Sequence, residues 1–85
     1  MNKIFVDTSG WLAVVSRSDS LHRKAVEIYV KLLASGHDLV THDGVLLELG
    51  TALSDTKSRN LAIKLRENIS KSERIELISL NSTFN

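Results

Sequence analysis

The apolar positions come in short runs whose period switches along the chain. Lys3-Ile4-Phe5-Val6-Asp7 opens with a compact apolar run and predicts a strand over residues 3–7. The run lacks strict alternation, as parallel strands covered on both faces tend to. Thr8 or Ser9 can cap a first helix from Trp11 to Ser16. A polar break follows, Arg17-Ser18-Asp19-Ser20. From Leu21, apolar residues recur at helical spacing: Leu21, Ala25, Ile28 and Leu32, with Val26, Tyr29 and Leu33 beside them. Gly36 is placed to end this second helix in a left-handed cap.

Asp38 to Thr41 predicts a second strand, and Asp43 is a plausible N-cap for a third helix through about Leu53. Leu61, Ala62, Leu65 and Ile69 share one face of a fourth helix. Arg74 to Leu80 predicts a third strand, carrying Ile75, Leu77, Ile78 and Leu80. Asn81 to Asn85 are polar apart from Phe84 and carry no ending signal. Strands separated by helices imply βαβ units. Right-handed crossovers then place helices on the sheet faces. The expected fold is α/β, a small parallel sheet of about three strands flanked by helices, in one domain over residues 1–85. Three strands are few for such a sheet, so the expectation is that another chain completes it or that the domain is incomplete.

Composition narrows the chemistry. The chain has 85 residues and no cysteine, so disulfide staples and thiolate zinc sites are excluded. Its 11 basic and 10 acidic residues give a net charge of +1, too balanced to argue for nucleic acid on charge alone. No apolar run approaches the roughly 20 residues of a membrane span, and the first residues lack the basic start, apolar middle and small-residue cleavage site of a signal peptide. The expected location is the cytoplasm, with no membrane partner.

Two acids stand out. Asp7 ends the first strand, where open α/β sheets hold their ligands in the crevice beyond the strand ends. Glu48 sits within the apolar run Val45-Leu46-Leu47-Glu48-Leu49, about 60° from the centre of the face shared by Val45, Leu49, Ala52 and Leu53. From that border its carboxylate can reach back towards the strand ends. A pair of carboxylates so placed suggests a site for a hard, hydrated cation such as Mg²⁺. The plainer reading makes Asp7 a helix N-cap and Glu48 a surface residue. His22, His37 and His42 show no paired metal-ligand spacing, and His42 alone falls near the presumed site. Lys57, Lys64 and Lys71 repeat every seven residues and form a stripe that could meet an RNA backbone, with Arg59 and Arg66 in a second column. A solvated helix face explains the same stripe. Trp11 is expected in the core.

Ile4-Phe5-Val6-Asp7-Thr8-Ser9-Gly10-Trp11-Leu12 resembles the opening of PIN-domain nucleases, and in particular the toxin subunits of VapC-type toxin–antitoxin pairs. Thr41-His42-Asp43-Gly44-Val45-Leu46-Leu47-Glu48-Leu49 is similar to that family's second motif. The resemblance implies a Mg²⁺- or Mn²⁺-dependent endoribonuclease. Asp7 and Glu48 would be its catalytic metal ligands, and Thr8 or Ser9 would hold the site in order. RNA and a cognate antitoxin would be its partners. The family's later acidic motifs have no counterpart here; Asp55, Glu67, Glu73 and Glu76 do not match them. The chain is therefore expected to be a truncated PIN-like domain whose first strand is a free edge. Such an edge predicts a homodimer or higher assembly, with domain swapping as one route. The alternative function is a non-catalytic PIN module that binds an antitoxin, RNA or its own copies. A haloacid-dehalogenase-like phosphatase also begins with a strand and an aspartate, but needs a second aspartate where Ser9 stands.

Overall fold

The chain order is β1 (Lys3–Phe5), α1 (Thr8–Val15), α2 (His22–Ala34), β2 (Asp38–His42), α3 (Asp43–Ala52), α4 (Arg59–Lys71) and β3 (Ile75–Ile78). This computed structural model describes residues 2–55 and 58–79. The expected Lys57 and the strand end at Leu80 lie outside the described residues, as does the tail from Asn81 to Asn85.

The expected α/β fold is present, a parallel sheet in the order β1-β2-β3 flanked by helices. Ile4 pairs with Leu39, and Leu39 with Ile75. Residues in register point to the same face. One face therefore carries Ile4, Leu39, Thr41 and Ile75, and the core gathers on it. Trp11 from α1 joins Val45, Leu46 and Leu49 from α3, and Leu65 and Ile69 from α4. The Trp11 and Tyr29 rings meet edge to face at 6.3 Å, which draws α2 onto the same layer.

The other face is barer than the sequence suggests. It carries Lys3, Phe5, Val40, Glu76 and Ile78, with Phe5 52% and Ile78 43% exposed. The cause is topological. Both crossovers are expected to be right-handed, and both step the sheet in the same direction. Their helices therefore cover the same face. The molecule measures 19 Å along its thinnest axis, as one helical layer on one sheet should.

Element ends follow local chemistry. α2 stops in a Schellman turn: His37 N–H donates to Leu32 C=O, Gly36 N–H donates to Leu33 C=O, and Gly36 takes φ 86°. Arg74 reinforces that corner. Its guanidinium donates to Asp38 Oδ1 at 2.7 Å and to the Leu33 carbonyl at 3.0 Å. α1 begins at Thr8, three residues earlier than expected, because Asp7 is its cap in place of Thr8 or Ser9. β2 continues to His42, which pairs with Ile78, so His42 and not Asp43 caps α3. Asp43 becomes the first helical residue, where its charge suits the positive end of the helix dipole.

A buried relay joins α1 to the ends of β1 and β2. Trp11 Nε1–H donates to Thr41 Oγ1 at 3.2 Å, and Thr41 Oγ1 donates to the Val6 carbonyl at 2.9 Å. Trp11 and Thr41 are both 0% exposed. A buried donor left without a partner costs about 1–3 kcal/mol. Thr41→Val keeps the shape and removes both bonds. Its thermal midpoint, followed by circular dichroism, is expected to fall by roughly 5–20 °C, given about 4–8 °C per kcal/mol in a domain of this size. An unchanged midpoint would show that the relay holds nothing.

Candidate active site

The site is built from two helix starts. At the first, the chain leaves β1 and Val6 still pairs with β2, its N–H donating to Val40 C=O at 2.8 Å. Asp7 then turns into α1. Gly10 N–H donates to Asp7 Oδ1 at 3.2 Å, and Ser9 Oγ–H donates to the same oxygen at 3.0 Å. Both bonds orient the carboxylate. Gly10 packs closely here: a Cβ would lie 3.0 Å from Val6 Cγ1, so a larger residue would push that side chain aside. At the second start, Val45 N–H donates to His42 Nδ1 at 3.2 Å. Glu48 follows one turn into α3 and is exposed.

These two starts form the walls of one open cleft of about 390 Å³. Asp7, Thr8 and Ser9 line one side, and His42, Val45 and Glu48 line another, with Phe5 at the edge. The two sequence-predicted acids thus share a cleft, and Thr8 and Ser9 lie beside Asp7. Among the described residues neither lysine nor arginine lines the cleft. Among the described residues the Glu48 side chain makes no hydrogen bond or ion pair. The cleft is therefore acidic, with one carboxylate oriented and the other uncommitted.

Other residues singled out in the sequence lie away from the cleft. Lys64 and Lys71 are exposed on α4 and do not line the cleft. Lys64 instead borders a separate groove with Trp11, Tyr29 and Ile75. Glu76 is tied to Lys3 at 2.8 Å. The sequence reading also passed over Phe5, Gly10 and the capping role of His42. A glycine three residues after a strand-ending aspartate was the available signal for Gly10.

A hydrated divalent cation suits this donor set. Mg²⁺ is commonly held by one or two carboxylates, with waters and phosphate oxygens filling its other positions. Asp7 and Glu48 supply that much. Among the described residues no group of three or more His, Cys, Asp or Glu side chains gathers as an all-protein cage would need.

The hydrogen bonds from Gly10 and Ser9 hold the Asp7 carboxyl below its ordinary value of 3.8. A lowered carboxylate pKa stabilises the fold above the unfolded value, and that contribution is lost as pH falls through the folded value. In metal-free protein, the Asp7 carboxyl and the Gly10 amide are expected to titrate together by NMR, with a midpoint below 3.8. A midpoint at or above that value would mean the cap does not form.

A comparison with known families matches the PIN domain over residues 4–84. No curated protein and no solved structure matches the chain. PIN domains are generally nucleases and typically depend on a divalent metal. The match spans both acids of the cleft, β2, β3 and β1 from Ile4 onward, and the chain belongs to the PIN-domain family.

Proposed function

We propose that this chain is a Mg²⁺- or Mn²⁺-dependent endoribonuclease of the toxin type, acting at the Asp7–Glu48 cleft. The observation that carries the proposal is the shared acidic cleft beyond the ends of β1 and β2, in a chain of a nuclease family. In this reading Asp7 and Glu48 hold the cation. When bound, it supplies Lewis-acid stabilisation to a phosphodiester under attack. Ser9 Oγ–H and Gly10 N–H hold Asp7 in its ligating orientation. Thr8 borders the path of the substrate. Lys64 and Lys71, away from the cleft, would meet the RNA backbone, a role the sequence also offers to Lys57. The proposed setting is cytoplasmic, with an antitoxin as protein partner. Among the described residues no helix is long and apolar enough to cross a membrane.

A second reading has its own support. Among the described residues two carboxylates line the cleft, and β1 is an edge of the described sheet next to a half-bare face. That arrangement favours a binding module whose sheet is completed by an antitoxin or by its own copies. Edge pairing or domain swapping at β1 would then give a homodimer.

One preparation tests both readings: light scattering for assembly, then RNA cleavage with Mn²⁺, with EDTA, and with two variants. Asp7→Asn keeps a good N-cap, and Glu48→Gln alters an exposed residue, so both are expected to fold. The nuclease reading expects cleavage that EDTA abolishes. It also expects each variant to lose roughly a hundredfold or more, the scale of a single electrostatic group in catalysis. Equal cleavage by wild type and both variants would sink it. A monodisperse monomer at micromolar concentration would sink the assembly reading.

A further inference from the structure

Gly50 is not explained by its own chain. It sits inside α3 with ordinary helical backbone, where glycine is the poorest helix former after proline. A Cβ at this position would meet nothing within 4 Å. Neither backbone conformation nor packing among the described residues therefore asks for a glycine. Its missing side chain leaves a notch in the groove between α3 and α4.

That groove has a volume of about 200 Å³. Leu46 and Leu53 line its α3 wall, and both are buried. On the α4 wall Ile63 is 49% exposed, with Arg59 and Arg66 about one turn to either side of it. Seven residues separate the arginines, so they project from one side of α4, about 10 Å apart along its axis. Both are exposed, and among the described residues neither makes an ion pair and no acid lines the groove.

These features select an occupant. The hollow is smaller than the roughly 300–1,000 Å³ of small-molecule pockets, so it suits side chains entering from outside. A phosphate backbone would meet the arginines and leave Ile63 and the notch unused. A helix uses all of them. The glycine allows its backbone to come close, an apolar stripe covers Ile63, and acids seven residues apart answer Arg59 and Arg66. We infer that the α3–α4 groove docks an acidic amphipathic helix of another protein, seated on Gly50 and held between Arg59 and Arg66. Glu48 lies two residues from both Leu46 and Gly50, on the opposite side of α3, and the groove shares no lining residue with the acidic cleft. The inference therefore stands apart from the nuclease reading.

The probes are two labelled helical peptides of one composition. In the first, glutamates seven residues apart bracket a stripe of leucine and alanine; in the second, the same residues are scrambled so that no face forms. Fluorescence anisotropy with the intact chain is expected to show the patterned peptide binding at least about tenfold more tightly, as helix-in-groove docking requires. The double variant Arg59→Glu, Arg66→Glu is expected to lose roughly tenfold or more, because like charges then face each other. Lysines in place of the peptide's glutamates are expected to restore its binding. Gly50→Ala separates docking from folding. It is expected to raise the thermal midpoint by roughly 3–8 °C and yet to weaken the patterned peptide. Gly50→Leu is expected to abolish binding while remaining folded by circular dichroism. Equal affinity for the two peptides, or wild-type affinity in Gly50→Leu or in the arginine double variant, overturns the inference. A lowered midpoint in Gly50→Ala also overturns it, since the chain itself would then need the glycine. So does an oligoadenylate that displaces the peptide, or a dimer of the chain that Gly50→Leu disperses, because RNA or a second copy would then occupy the groove.

Discussion

The Trp11–Thr41–Val6 relay is the constraint on which the rest of the site depends. It ties α1, β2 and the end of β1 together at a point with no access to water. Val6 immediately precedes Asp7, and Thr41 immediately precedes His42. Two of the three relay members are therefore the residues just before a helix cap. The backbone at both caps is fixed by groups that are costly to expose or leave unpaired. The acidic cleft is the space between two helix starts positioned in this way.

Burial and chemistry are divided by strand alternation. Ile4 and Leu39 face the helices, while Phe5 and Val40 face the other way. The same alternation places Thr41 in the core and His42 at the cleft. A shift of β2 by one residue would reverse these roles and take both the relay and the α3 cap with it. The Arg74 contacts with Asp38 and the Leu33 carbonyl resist such a shift. They clamp the start of β2 to the start of β3 and the end of α2.

Much of this was legible in the sequence. Helical spacing located α2 and α4, and Gly36 marked the end of α2, because periodicity and left-handed caps are local properties. Trp11 was expected in the core and lies there. The caps were less legible. Asp7, Thr8 and Ser9 can all accept an amide hydrogen, and the choice among them depends on where β1 releases the chain. His42 was hidden because histidine is an uncommon cap and β2 runs one residue further than its apolar pattern. The exposure of Phe5 could not be read locally. It follows from the direction of two crossovers, which a run of apolar residues does not encode. The acids were legible by position, one after a strand and one on a helix border. Their meeting in a single cleft required the fold.

If Asp7 and Glu48 hold one cation as proposed, both helix starts must sense it. Paramagnetic broadening by Mn²⁺ in NMR spectra of the metal-free chain tests this without any substrate. The amide signals of Ser9, Gly10 and Leu49 are expected to broaden first and together, and Glu48→Gln to weaken the effect at Ser9 and Gly10 as well as at Leu49. Broadening led by another acidic position, such as Glu67 on α4, or confined to one of the two helix starts, would contradict it.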